Sequence, residues 1–179
     1  MSPQPAPRQT ASILSPLEES RIDALLAHQP TGAANSQAVC IDALLVIQAQ
    51  RGWVSDACLE ALAQRLGMHP VELDAVATFY NLIFRRPVGR HVILCCDSIS
   101  CWVCGMAGIR ERLEELLGVK SGETSADGEF TLLGIPCLGA CDRAPALLID
   151  RRLFGPVSPD RLQDILNSVR QGEDQWICP

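Results

Sequence analysis

The chain has 179 residues, enough for one ordinary domain or two small ones. With 15 Lys plus Arg against 21 Asp plus Glu, the net charge is -6, and aromatic residues make up only 4%, which argues against a phosphate-binding or base-stacking surface and so against nucleic acid as a partner. Hydrophobic residues reach 47% but never run for the roughly eighteen positions a membrane span requires, and Met1 to Leu14 lacks a basic-then-apolar leader, so an unexported, cytoplasmic chain without direct membrane insertion is expected.

Met1 to Leu14 is rich in Pro, Ser, Gln and Ala and offers nothing obvious to bury, which predicts a disordered tail over 1–14. Ser15-Pro16-Leu17-Glu18 then reads as a helix start: Ser15 is the cap, Pro16 takes the first helical position and Glu18 closes a capping box. That helix turns Ile22, Leu25 and Leu26 inward and stops before Pro30. A second is predicted from Ser36 to Gln50, because Ile41, Leu44, Leu45 and Gln48 follow a three-and-four spacing, with Val39 and Ile47 on the same stripe and Gly52 as the stop. Ser55-Asp56 opens a third, with Leu59, Leu62 and Leu66 on one face and Gly67 as a left-handed terminator. Pro70 and Glu72 start a fourth, through Leu73, Val76, Phe79 and Tyr80.

Helical periodicity gives way at Pro87-Val88-Gly89, the expected boundary between a helical domain over 15–87 and a second domain over 88–179. His91-Val92-Ile93-Leu94 is an apolar run of strand length, followed by a cysteine-bearing loop and a helix through Ile109, Leu113, Leu116 and Leu117 that Gly118 ends. Asp127-Gly128 reads as a turn into a strand over Glu129 to Leu133, and Ala146 to Asp150 makes a further strand. Ser158-Pro159-Asp160 caps a last helix whose buried face is Leu162, Ile165, Leu166 and Val169. The expected fold class is α+β, a helical bundle followed by a small mixed sheet with helices laid against it.

Nine cysteines would suggest a disulfide framework in a small secreted protein, but the count is odd and no leader precedes them, so metal or redox chemistry is the better reading. Four of them sort into two tight pairs at predicted strand ends, Cys96/Cys101 as C-x4-C and Cys137/Cys141 as C-x3-C. Two adjacent loops can close one site, and four thiolates can hold an iron-sulfur cluster. Gly139, inside the second pair, permits backbone conformations that would let its amides approach the inorganic sulfurs of a cluster. Four-thiolate zinc in an interaction module is the rival from another class, although C-x4-C beside C-x3-C is less usual for structural zinc.

Cys101-Trp102-Val103-Cys104 is also a true C-x-x-C opening a helix, as in dithiol oxidoreductases, but that reading leaves Cys96, Cys137 and Cys141 unexplained. If Cys96 and Cys101 are ligands, Cys104 becomes a packing residue in a first helical turn. Cys95 competes with Cys96, because neighbours on a strand point to opposite faces, and spacing alone does not choose between them. Cys40 and Cys58 lie on apolar helix faces and are expected to pack. His28, His69 and His91 fall outside the cysteine pairs and receive no function, and no G-x-G-x-x-G follows a strand, so no NADH site is expected in this chain.

Seven stretches, in order, carry a resemblance that covers most of the chain: Gln50-Arg51-Gly52-Trp53-Val54, Val76-Ala77-Thr78-Phe79-Tyr80, Pro87-Val88-Gly89-Arg90-His91, Cys96-Asp97-Ser98-Ile99-Ser100-Cys101, Gly122-Glu123-Thr124, Asp127-Gly128-Glu129-Phe130-Thr131-Leu132 and Cys137-Leu138-Gly139-Ala140-Cys141-Asp142. The chain resembles the 24 kDa-type, thioredoxin-like [2Fe-2S] subunits of bacterial NADH:quinone oxidoreductase, complex I. The resemblance implies a thioredoxin-like domain after the helical one and one [2Fe-2S] cluster on Cys96, Cys101, Cys137 and Cys141, selecting Cys96 over Cys95. It further implies a flavoprotein partner that carries FMN and the NADH site, other peripheral-arm subunits as neighbours, and a place at the inner membrane only through the complex. Comparable subunits serve soluble NAD-linked hydrogenases and formate dehydrogenases. Cys95, Cys104 and Cys178 are not ligand positions in the resemblance, and Trp53, Phe79 and Tyr80 are expected to pack between helices and sheet.

Overall fold

A computed structural model describes residues 13–28 and 37–172. The chain divides into two compact units, Met1–Pro87 and Val88–Pro179, each with its own apolar core. The end of the second predicted domain, with Cys178, lies outside the described residues, as does most of the predicted tail.

The described residues of the first unit include four helices. Helix α1 spans Pro16–Ala27, α2 Cys40–Arg51, α3 Asp56–Leu66 and α4 Pro70–Phe79. The predicted capping box closes α1: Ser15 Oγ accepts from the Glu18 amide and the Glu18 carboxylate accepts from the Ser15 amide. The same carboxylate, fully buried, also takes two bonds from Arg51 at 2.6 and 2.7 Å, and so fastens the start of α1 to the end of α2. Gly52 and Gly67 stop α2 and α3 in left-handed conformations. The segment after α4 is tied back to α2 by Gln48, whose side chain donates to the Leu82 carbonyl at 2.8 Å and accepts from the Phe84 amide at 2.6 Å.

Three expectations for this unit need correction. Leu14 is only 3% exposed and joins the helical core, so the tail does bury a side chain at its end. The buried face of α2 runs through Cys40, Ala43, Leu44 and Ile47, leaving Ile41 and Leu45 half-buried, because the helix meets its neighbours one residue round from the stripe read off the large apolar side chains. Phe79 and Tyr80 are 77% and 43% exposed and pack edge-on against each other rather than into a core, because α4 buries Leu73 and Ala77 and ends at Phe79. Trp53 is half-buried.

The second unit is a four-stranded sheet with helices. Strand β1 spans His91–Cys96, β2 Phe130–Ile135, β3 Leu147–Ile149 and β4 Arg152–Phe154, in the order β2-β1-β3-β4. β1 and β2 are parallel, while β3 is antiparallel to both β1 and β4. Between β1 and β2 come a short helix, α5, at Ile99–Val103 and a longer one, α6, at Met106–Leu117; α7 closes the unit at Leu162–Gln171.

In the paired register, Ile93 lies opposite Leu132 and Ile149, and Cys95 lies opposite Gly134 and Leu147. Strand alternation puts these on one face, and Ile93, Cys95, Leu132, Leu147 and Ile149 share a core with Ile109 and Leu113 of α6 and Ile165, Leu166 and Val169 of α7. The last helix buries the four residues predicted for it, but it starts at Leu162 after a single 3-10 turn, and Ser158 makes no side-chain cap. Strand β4 was not expected: Asp150, with φ of 55°, turns the chain without a glycine, and its carboxylate accepts from the Val92 amide at 3.0 Å.

Candidate functional site

Parallel pairing of β1 with β2 brings both cysteine-bearing segments to one end of the sheet. Cys96 sits level with Ile135, so the chain that leaves β1 toward Cys101 and the chain that leaves β2 toward Cys137 emerge side by side, about 5 Å apart in the pairing direction. The Asp97 amide donates to the Ile135 carbonyl at 2.8 Å, which holds the two exits together. Just before β3, the Ala146 carbonyl accepts from the Cys96 amide at 3.4 Å.

The segment between Cys96 and Cys101 is helical in its second half. Ser98 precedes α5 in extended conformation, and Cys101 falls on that helix with its thiol buried. Cys96 Sγ lies 3.3 Å from Ser98 Oγ. Burial pushes the Cys96 thiol up, but the surrounding polar groups outweigh it, Ser98 first and then the Leu138 amide of the other cysteine segment and the Cys101 thiol, and draw the group down to about 7. Cys101 shifts the other way, through burial first and then its shared hydrogen bond with Cys96, against a backbone bond from Ala146. The surroundings of Cys96 thus favour thiolate, the form that binds metal.

In the second segment, Gly139 has φ of +74°, a left-handed turn that aims its amide at Cys137 Sγ, 3.3 Å away. Cys137 and Cys141 are both exposed, and Cys141 opens a single 3-10 turn to Arg143. Cys96 and Cys101 are therefore buried, while the second pair faces outward. Among the described residues no set of three or more His, Cys, Asp or Glu side chains is already drawn together to hold a metal ion. The donor chemistry nevertheless suits an iron-sulfur cluster, with four thiols on two adjoining segments and the Gly139 amide turned toward the Cys137 sulfur.

The other cysteines are placed apart from this cluster of groups. Cys95 points to the helix-covered face, among Arg110 and Glu114 of α6, and burial pushes its thiol up to about 11, the signature of an inert core cysteine. Cys40 and Cys58 are buried in the helical unit as expected. Cys104 is not a packing residue: it is exposed at the C-terminal cap of α5, because the helix that follows Cys96 is only five residues long and Cys104 closes it. The histidines have structural partners, His28 the Ala24 carbonyl at 2.6 Å, His69 the Val71 amide at 3.3 Å and His91 the Asp150 carboxylate at 2.8 Å. Sequence reasoning did not single out Asp97, Ser98, Leu138 or Ala146 as contributors to the site. Only Asp97 and Ser98 carried a signal, their place between two cysteines.

Residues 22–170 match the family model described as thioredoxin-like [2Fe-2S] ferredoxin. The chain belongs to that family. Among relatives, the ferredoxin-family chain is 42% identical over 156 residues to an NADH-quinone oxidoreductase subunit of Pseudomonas aeruginosa, covering 87% of this chain and 92% of that one. It is 40% identical over 164 residues to the corresponding NADH-quinone oxidoreductase subunit of Escherichia coli, covering 92% and 96%. Among solved structures it matches the crystal structure of an air-oxidized NAD+-reducing [NiFe]-hydrogenase with a TM-score of 0.65 and 25% identity, over 77% of this chain and 24% of that one. Among the described residues no helix is long and apolar enough to cross a membrane.

Proposed function

We infer that this ferredoxin-family chain is the [2Fe-2S] electron-transfer subunit of an NADH:quinone oxidoreductase, exchanging single electrons with FMN in a neighbouring NADH-binding flavoprotein. We propose that Cys96, Cys101, Cys137 and Cys141 hold the cluster within a thioredoxin-like domain over 88–179, following a helical domain over 15–87. The observation that carries the ligand assignment is the parallel register of β1 and β2, tied by the Asp97 amide on the Ile135 carbonyl, which brings the two cysteine segments out at one end of the sheet. When bound, the cluster supplies a one-electron centre whose potential follows its charge, its burial and the hydrogen bonds to its sulfurs.

The chain's own residues do the rest. Gly139 donates its amide to Cys137, and the Ser98 hydroxyl, which accepts from the Cys96 thiol, becomes a donor once that sulfur is a thiolate, so that added negative charge at the sulfurs meets oriented N–H and O–H dipoles. The exposure of Cys137 and Cys141 leaves one side of the site open to an electron partner, while Cys96 and Cys101 are shielded. Within the complex the chain sits in the cytoplasm beside the other peripheral-arm subunits and reaches the membrane only through them.

The likeness to the NAD+-reducing hydrogenase favours a second assembly, in which the same subunit serves a soluble NAD-linked enzyme. Purification of the native complex distinguishes the two: membrane subunits that reduce quinone travel with the chain in the first case, and a hydrogenase or formate dehydrogenase in the second. A zinc-stabilised interaction module predicts a colourless chain without iron.

A further inference from the structure

The ligand Cys96 is followed by an acidic residue whose side chain leaves the site for the other face of the sheet. Asp97 shares the face of Cys95, where its carboxylate pairs with the guanidinium of Arg110 on α6. The carboxylate packs against Gly134, where an added Cβ would meet it and oblige it to shift. The same guanidinium charge lies near the Cys95 thiol, where it opposes the upward push of burial, and Cys95 is immediately next to Cys96 in the chain. The first turn beyond β1 is therefore held twice at one residue, by the Asp97 amide on Ile135 and by the Asp97 carboxylate on Arg110.

We propose that Arg110 is a positioning residue for the cluster: through Asp97 it fixes the backbone that presents Cys96, and its positive charge behind the strand raises the cluster's reduction potential while Asp97 lowers it. The inference rests on Cys96 being a ligand. Reduction adds one negative charge to the cluster, so a nearby cation favours the reduced form and a nearby anion opposes it. Arg110 and Asp97 form an ion pair whose far field largely cancels, and both side chains are partly exposed, at 31% and 41%. The effect of removing one partner is then modest, a threefold to tenfold change in the reduction equilibrium, where tenfold is about 59 mV for one electron.

The sign separates charge from mere anchoring. Arg110→Gln and Asp97→Asn break the same ion pair, so a purely structural role moves the potential in the same direction in both, whereas charge moves it in opposite directions. The test is a spectroscopically monitored redox titration of the full chain carrying its cluster. Arg110→Gln is expected to lower the potential and Asp97→Asn to raise it, each by at least threefold in the equilibrium, with Arg110→Lys close to the parent. Shifts of one sign in both variants, or less than threefold in either, overturn the proposal. Should Arg110→Gln take up no cluster, the rise in Asp97→Asn and the unchanged Arg110→Lys carry the same decision. A parent chain that shows no iron-sulfur spectrum is a different failure, one of the ligand assignment.

Discussion

Cys95 and Cys96 are neighbours in sequence, yet one sulfur lies under α6 beside Arg110 and the other meets Ser98, Cys101 and Leu138. Spacing alone left that choice open, since strand alternation says that the two differ without saying which face carries the site. Cys104 was legible only as half of a C-x-x-C, and its exposure at the end of α5 separates it from the buried Cys101. Replacing Cys104 with Ser is therefore expected to leave the iron content unchanged, and iron analysis of the purified variant checks this. Gly139→Val is expected to weaken the second loop by about 1–2 kcal/mol, because a β-branched residue resists the left-handed conformation that aims the Gly139 amide at Cys137. Its signature would be faster loss of the cluster's visible absorption under a chelator.

Glu18 is the residue at which a cap, an ion pair and burial coincide. The Arg51 guanidinium first, and the Ser15 bonds after it, hold its carboxyl below the ordinary 4.5 against the opposing effect of burial. A folded-state value below the unfolded one means that the folded chain binds fewer protons in that interval. The stabilisation is thus complete above about pH 4.5 and lost as pH falls through the folded value. Glu18→Gln should cost about 2 kcal/mol near neutral pH, in the range for hydrogen bonds to charged groups, and flatten the acid limb of the stability profile. Urea midpoints by circular dichroism from pH 3 to 7 would show this, and an unchanged acid limb would contradict it.

Elements with strong periodicity and capping chemistry were legible from the chain: Ser15 and Glu18 for α1, Ser55 and Gly67 for α3, Gly118 after α6. Those missed are short. α5 has five residues, fewer than two turns, so no apolar period could announce it, and β4 has three residues after a turn that lacks the usual glycine. The exposed Phe79 misled for a different reason: an aromatic at the end of a helix continues the stripe on paper, while α4 in fact stops there. Packing predicts the contrast between α6 and α5. Leu113→Ala, in the core shared by α6, α7 and the sheet, should cost about 3 kcal/mol, and Val103→Ala, 71% exposed on α5, should stay within about 0.5. Chemical denaturation of the two variants side by side tests this.

Across the whole molecule, the sequence carried the change of period at Pro87 and the ordered motifs, and the chain divides into compact units at that residue. What the sequence did not carry is the strand register, since nothing local to either segment shows that Cys96 lies level with Ile135 and that both cysteine loops leave one end of the sheet. That placement is a property of long-range pairing. The division of labour proposed for the assembly predicts that Cys141→Ala, in the reconstituted complex, leaves reduction of the partner's flavin by NADH intact. Loss of hydride transfer to the flavin in stopped-flow absorbance would contradict it.

The most direct measurement is iron and acid-labile sulfide per chain, with the electron paramagnetic resonance of the dithionite-reduced protein, in the anaerobically purified parent and in Cys96→Ala, Cys101→Ala, Cys137→Ala and Cys141→Ala. The account predicts two irons and two sulfides in the parent, following the cluster formula of its family, and loss of the signal in each variant. Zinc in place of iron, or a variant at any of the four positions that keeps a native signal, would contradict it.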